Sequence, residues 1–214
     1  MTKVIGICGL KNSGKDTIGD IICKNDDSFV KMSFADTLKD ITAILMGWDR
    51  KLLQGDTIES REWREKADDY WSDAFGKMIT PRIILQQLGT EVLRNHFLQS
   101  IWVDSLKKKI MNSDKNVVIT DVRFPNEIDM IKELGGTIYR VERGELPKWY
   151  LELNKLSHYL YEVLNFNPLY VVDDLDKIHE SEWRWVGYDR PKHIFKNDGT
   201  IEDLEKEVLE KMGE

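Results

Sequence analysis

The residues best suited to chemistry stand at Gly9-Leu10-Lys11-Asn12-Ser13-Gly14-Lys15-Asp16-Thr17. The glycines let the backbone curl until successive N–H groups face inward, and a helix starting near Lys15 adds its positive end. Together these groups can hold the oxygens of a polyphosphate. Lys15 would reach the outer phosphates as a compact charge, with Gly9, Lys11, Asn12, Ser13 and Gly14 forming the cradle. A hydroxyl on the first helical turn normally meets Mg²⁺. Asp16 occupies the usual Ser/Thr place, so Thr17 is the candidate, and Asp16 is expected to point outward or to order the metal's water. The plain alternative is a chance glycine-rich turn. It is weakened by context, because the apolar run Val4–Cys8 precedes the loop and Ile18, Ile21 and Ile22 follow it at helical spacing. A second metal-side candidate is Asp121, directly after the apolar strand Val117–Thr120, where a carboxylate can orient Mg²⁺ through water; a solvated strand-end Asp is its bland counterpart.

These groups need a scaffold, and the hydrophobic pattern supplies one. Val4–Cys8, Phe29–Phe34, Val117–Thr120, Thr137–Val141 and His193–Phe195 read as strands, with helices between them. Phe34, Leu38, Ile41 and Leu45 mark the expected buried stripe of one helix. Ile84, Leu88 and Val92 mark a second, Val103, Leu106 and Ile110 a third, and Ile201, Leu204 and Val208 the closing one. Asn126–Leu134 is a short helix ending at Gly135-Gly136. Five strands alternating with helices imply an α/β fold with a parallel sheet flanked by helices. Residues 49–80 are charge-dense and read as a helical insertion, while 144–190 form a second insertion, aromatic-rich and without a clear period. One domain over 1–214 with two insertions is the economical organisation.

Bulk properties narrow the partners. The net charge of -7 weighs against sequence-independent nucleic-acid binding, which rests on neutralising phosphates with Lys and Arg. A local arginine cluster can still oppose that field for a small anionic substrate. Cys8 and Cys23 have no metal or redox spacing and read as thiols in a reducing cytosol. The opening MTKVIGICG is expected to be neither a signal nor a transit peptide, and no apolar stretch approaches spanning length.

Three further stretches narrow the resemblance: Phe34-Ala35-Asp36-Thr37-Leu38-Lys39; Thr80-Pro81-Arg82 leading into Leu85-Gln86-Gln87-Leu88-Gly89-Thr90-Glu91 and Arg94; and Asp121-Val122-Arg123-Phe124-Pro125-Asn126-Glu127. With the glycine-rich loop and the terminal Asn197-Asp198-Gly199-Thr200, the chain resembles the deoxynucleoside monophosphate kinases of bacteriophages and other large DNA viruses, from residue 4 to about 143 and again from about 179 onward. The resemblance implies a P-loop kinase that moves the γ-phosphoryl of ATP to a deoxynucleoside monophosphate with Mg²⁺, in the cytoplasm (the host's, for a viral member). It also implies an acceptor-binding region, falling at 49–98, and a lid, falling at 144–190. Residues 145–178 depart from a typical lid in being longer and more aromatic. A homodimer is left open.

Such a transfer needs no general base, since the acceptor phosphate is already largely ionised at neutral pH, its second pKa being roughly 6. It needs in-line placement and cancellation of charge, for which the arginine fork is suited. Arg82, Arg123 and Arg143 are the candidate catalytic arginines, with Arg94 and Arg140 also at element ends; a solvated or salt-bridged arginine is the alternative for each, more so for Arg140. Asp36 and Lys39 share a helix face and suit the sugar and the monophosphate, or form a simple ion pair. Gln86 and Gln87 suit a base edge, and Trp102, Trp63 or Trp71 suit stacking, against core packing as the commoner fate of tryptophan. Glu91 and Arg94 could pair internally, and His179-Glu180-Ser181-Glu182 resembles a short family element near the lid. Asn197, Gly199 and Thr200 would form the loop under the adenine, or cap the last helix through Thr200. Two rivals stand beside this reading: a kinase of an alcohol acceptor, in which Asp36 would be the base, and a non-catalytic nucleotide-binding switch.

Overall fold

The computed structural model describes residues 2–163, 172 and 175–213. Five strands form one all-parallel sheet: β1 (Val4–Gly9), β2 (Phe29–Met32), β3 (Asn116–Ile119), β4 (Thr137–Glu142) and β5 (His193–Lys196), in the order β2-β3-β1-β4-β5. The central strand β1 is buried along its whole length, as a parallel strand covered on both faces must be. Its alternate residues serve different layers. Ile5 and Ile7 join one core with Ile18, Ile21 and Ile22 of α1 (Lys15–Asn25) and Leu204 and Val208 of α10 (Ile201–Met212). On the other face Gly6 leaves room for α7 (Pro125–Glu133), since a Cβ there would lie 2.6 Å from Ile131 Cδ1.

The chain divides into two compact units. The first, Met1–Ser33 with Lys109–Glu214, contains the sheet, α1, α7, α8 (Lys148–Val163), the short α9 (Glu180–Trp183) and α10. The second, Phe34–Lys108, is helical: α2 (Asp36–Met46), α3 (Ile58–Glu65), α4 (Asp69–Phe75), α5 (Pro81–Gln86) and most of α6 (Ile101–Met111). Its core gathers Met46, Ile79 and Ile84, with Trp48, Trp71 and Ile83 against them. The acceptor insertion expected at 49–98 lies inside this second unit.

Three expectations about the elements need correction. In α2 the buried residues are Thr42 and Met46, while Ile41 and Leu45 of the expected stripe are 41% and 59% exposed. A count of apolar residues overlooks an inward threonine, so the face was drawn about a quarter-turn away. The helix from Pro81 continues past Gln86 as a π-helix over Gln87–Phe97. Its wider turn slides a 3.6-residue stripe out of register: Ile84 is buried but Val92 is half exposed. The segment 144–190 contains the 16-residue α8, where no period was evident, and part of the expected lid, 164–171, 173 and 174, lies outside the described residues.

Candidate active site

β1 delivers the chain into the glycine-rich turn. Asn12 holds a left-handed φ of 64°, the one non-glycine among the described residues to do so, and Gly14 one of 106°. An asparagine tolerates that region and a glycine occupies it freely. Two close approaches fix the curl. A Cβ on Gly9 would lie 2.6 Å from Ser13 Oγ and from the Val141 carbonyl, and one on Gly14 would lie 2.3 Å from Asn197 Nδ2. Inside the loop, Lys15 Nζ donates to the carbonyls of Gly9 (2.9 Å) and Leu10 (2.8 Å). The buried Ser13 hydroxyl has no hydrogen-bond partner among the described residues. Burial first, and then the nearby Arg123 guanidinium, lower the Lys15 ammonium to a pKa of about 8, against the partial support of Glu182 and Asp16.

Asp16 is largely exposed and accepts from Thr120 Oγ1 at 2.6 Å, which ties the start of α1 to the end of β3. Thr17, the hydroxyl candidate for a cation, is half-buried one residue further on. Asp121 follows β3, which is β1's neighbour in the sheet, and accepts from Ser33 Oγ at 2.6 Å. Among the described residues no group of three His, Cys, Asp or Glu could hold a metal by itself, so a cation here would draw most ligands from phosphate and water. Oxygen donors such as Thr17 and Asp121 fit Mg²⁺, a hard ion that keeps its water.

Arg123 sits at the entrance of α7. Glu127, 3% exposed, accepts from the backbone N–H groups of Arg123 (2.6 Å) and Phe124 (3.0 Å) and so fixes the turn. The Arg123 guanidinium donates to Glu182 Oε1 at 2.7 Å. The His179–Glu182 element thereby acquires a role: His179 accepts from the Ser181 N–H to cap α9, and α9 presents Glu182 to Arg123. The partnership of Glu127 and Glu182 with Arg123 was not foreseen in the sequence, although S/T-free caps of this kind are signalled by a Glu three residues after the cap position. Arg143, at the end of β4, is exposed. Arg140 differs from the expectation of an element-end arginine open to phosphate or solvent. It is 3% exposed, donates to Asn154 (2.9 Å) and the Tyr150 hydroxyl (3.4 Å), and lies 5.4 Å from the Trp185 ring centre. It anchors α8 to the sheet.

The terminal motif does two structural jobs. Asn197 Nδ2 donates to the Ser13 carbonyl at 2.9 Å, bracing the phosphate loop. Thr200 caps α10 with Asp203 in a capping box, and Gly199 leaves the space that box needs, a Cβ there lying 2.8 Å from Asp203 Oδ2.

In the helical unit, Asp36 pairs with Arg50 (3.1 Å) and with Lys39 (3.9 Å), and Lys39 also donates to Gln54 at 3.3 Å. Arg82, placed at the start of α5 by the Thr80 cap and Pro81, pairs with Glu65. Gln86 is exposed and Gln87 and Arg94 are half-buried. The stacking role considered for Trp102 is corrected: the ring is 6% exposed and its N–H is spent on the Gly89 carbonyl at 2.9 Å. Trp71 likewise donates to the Met46 carbonyl at 2.9 Å and Trp63 packs edge-on to Trp48, so both belong to the unit's packing. One residue passed over in the sequence stands out. Arg64 makes no hydrogen bond or ion pair among the described residues, and its buried Nε is left without a partner.

A parallel sheet in the order 2-3-1-4-5, with a glycine-rich phosphate loop leaving its central strand and a lysine at the start of the next helix, defines a P-loop kinase. The comparisons with known proteins carry the assignment further. A model of the deoxynucleotide monophosphate kinase family matches residues 54–150. A protein of Acanthamoeba polyphaga mimivirus named as a deoxynucleotide monophosphate kinase is 36% identical, over 65% of this chain and 74% of its own length. The deoxynucleoside-5'-monophosphate kinase of Escherichia phage T5 is 26% identical, over 62% and 73%. The chain belongs to the deoxynucleotide monophosphate kinase family. Among solved structures, a shikimate kinase from Bacteroides thetaiotaomicron aligns with 13% identity and a TM-score of 0.47 over 99% of both chains. A dephospho-CoA kinase from Campylobacter jejuni aligns with 15% identity and 0.46, over 99% and 96%. Both likenesses are loose and carry no weight for substrate or mechanism.

Proposed function

We propose that this chain performs its family's reaction, transfer of the γ-phosphoryl group of ATP to a deoxynucleoside monophosphate to give the diphosphate, with the roles divided between its two units. The sheet unit holds the donor. The loop from Gly9 through Gly14 offers main-chain N–H groups to the phosphates, and Lys15 turns from the carbonyls of Gly9 and Leu10 to the outer phosphate oxygens. Arg123 cancels charge on the group in flight, with Arg143 as a second cation at the same sheet end. Where Mg²⁺ joins, Thr17 and Asp121 help to hold it; the ion neutralises phosphate charge. Asn197 braces the loop, with Gly199 and Thr200 nearby for the donor base.

The helical unit takes the acceptor through Asp36, Lys39, Arg82, Gln86 and Arg94. No proton need be removed from a phosphate acceptor, which agrees with the absence of a free carboxylate at Asp36. An alcohol kinase would need that carboxylate as a base, yet Arg50 and Lys39 already occupy it. The observation that carries the reading is the Lys15 ammonium, buried within its own loop and beside Arg123. ADP release measured with each of the four common deoxynucleoside monophosphates tests it: turnover with at least one is expected, and none with any of them, alongside intact ATP binding, would leave a nucleotide-binding switch instead.

A further inference from the structure

We propose that Asp198 is a positioning residue for phosphoryl transfer: with Asn197 it clamps the exit of β4 and so fixes the backbone from which Arg143 reaches the donor's phosphates. The proposal rests on the functional reading above, in which Arg143 is a second cation at that sheet end, and it names what holds the cation in place.

Three observations carry it. First, β4 leaves the sheet where the phosphate loop begins, since Val141 lies in register with Gly9 and Arg143 comes two residues later. Second, Arg143 is exposed and its side chain makes no hydrogen bond or ion pair among the described residues. A free arginine carries about 2 kcal/mol of rotamer entropy, so where its fork can reach is decided by the backbone that carries it. Third, that backbone is bonded on both sides of Arg143 to one turn. The Asn197 N–H donates to the Glu142 carbonyl at 2.9 Å, and the Gly144 N–H donates to Asp198 Oδ1 at 2.5 Å. Gly144 holds a left-handed φ of 65°, so the chain turns sharply at the second of these bonds.

The turn is itself anchored. Lys196, just before it, pairs with the Glu142 carboxylate, which is buried and also accepts from the Tyr150 hydroxyl at 2.7 Å. The Asn197 side chain donates to the Ser13 carbonyl of the phosphate loop at 2.9 Å. One dipeptide therefore ties the loop that grips the donor to the strand end that carries Arg143. Asp198 is exposed, and among the described residues its carboxylate bonds to nothing but the Gly144 N–H. An exposed hydrogen bond adds only modestly to stability. A group misplaced by about 1 Å can cost on the order of 10²-fold in rate, so a bond of small value to the fold matters more to the transfer.

The test is steady-state kinetics on the full chain with the deoxynucleoside monophosphate that it uses best. Asp198→Ala should lower kcat by about 10- to 100-fold, with the KM for ATP and the melting temperature little changed. Asp198→Asn, which keeps the acceptor oxygen, should restore most of the loss. Arg143→Ala should cost on the order of 10³-fold, and adding Asp198→Ala to it should cost nothing further, because the clamp acts only through that arginine. An unchanged kcat in Asp198→Ala or in Arg143→Ala overturns the proposal. So do losses that multiply in the double variant, or an Asp198→Asn as poor as the alanine. Gly144→Ala, which strains the turn and leaves Asp198 intact, should lower kcat in the same way if Asp198→Ala fails to fold, and a normal kcat there is equally damaging. If the wild type phosphorylates no monophosphate, the functional reading fails by itself. The clamp is then read by the binding of ADP with Mg²⁺ and aluminium fluoride, a mimic of the phosphoryl group in flight. Asp198→Ala and Arg143→Ala should each weaken that binding without adding up; independent losses, or none, reject the clamp.

Discussion

Lys15 and Arg64 are two cations, among the described residues, that burial pushes toward neutrality, and they are handled in opposite ways. Lys15 loses water inside the glycine-rich loop but gains the Gly9 and Leu10 carbonyls, so its charge rests on main-chain dipoles. Arg64 loses water and gains two further guanidiniums, with no hydrogen bond among the described residues. The first cation is held by backbone carbonyls of its own loop. The second is a half-buried guanidinium set beside two others. A desolvated cation can thus be held with its hydrogen bonds made or with them missing, and the two cases should respond differently to substitution.

The largest effect is expected at Arg123, the cation paired with Glu182 and felt electrostatically by Lys15. Arg123→Ala should lower kcat on the order of 10³-fold with little change in the KM for ATP, the signature of a charge needed only during transfer. A loss confined to KM would move Arg123 out of the transition state and into ground-state binding.

Next comes Arg140, which differs from Arg64 only in part. Its Nε is likewise buried without a partner, but its Nη1 donates to Asn154 and Tyr150, and Glu142 and Lys196 complete the network around Tyr150. Arg140→Met should cost about 3 kcal/mol of stability, read by denaturant unfolding, because partners are left buried without it. Stability unaffected by Arg140→Met but lowered by Arg64→Met would reverse the contrast between the two arginines.

A pH titration sharpens the Lys15 side. Its folded-state pKa is lowered from 10.5 to about 8, so between those values the unfolded chain holds a proton that the folded chain has lost. This group therefore makes folding more favourable as pH rises through that window, while the charge available to ATP falls. Affinity for ATP should weaken from pH 7 to pH 9, by about tenfold per unit once past the pKa. Calorimetry in buffers of different ionisation enthalpy should show proton uptake on binding near pH 8.5. In Arg123→Ala the midpoint should move upward, since Arg123 is the charge that depresses it most.

The smallest effect is expected at the cap of α10. Thr200→Ala should cost about 1 kcal/mol by loss of the bond to the Asp203 N–H. A change in ATP affinity without loss of stability would instead point to donor contact.

The phosphate loop, the strand β3 with Asp121 after it, and the parallel sheet were legible because each is a local signal: a glycine spacing, an unbroken apolar run, a turn. What stayed hidden depends on partners distant in sequence. Glu182 meets Arg123 across 59 positions, and nothing near either residue announces the other. Arg64 sits in a charge-dense stretch that reads as solvated surface, and only the glycine nine residues earlier hints that its guanidinium turns inward. For Trp102 the sequence left stacking and core packing both open, and only its burial and its bond to the Gly89 carbonyl favour the core. In α2, a buried Thr42 and exposed Ile41 and Leu45 reflect tertiary demands that override the apolar count.

In the proposed reaction an ammonium and a ring of backbone amides grip the donor's phosphates, and Lys15→Met tests that grip most directly. With saturating ATP and the best monophosphate, ADP formation should fall by roughly 10³-fold or more while the protein stays folded. Turnover within a few-fold of the wild type would contradict it.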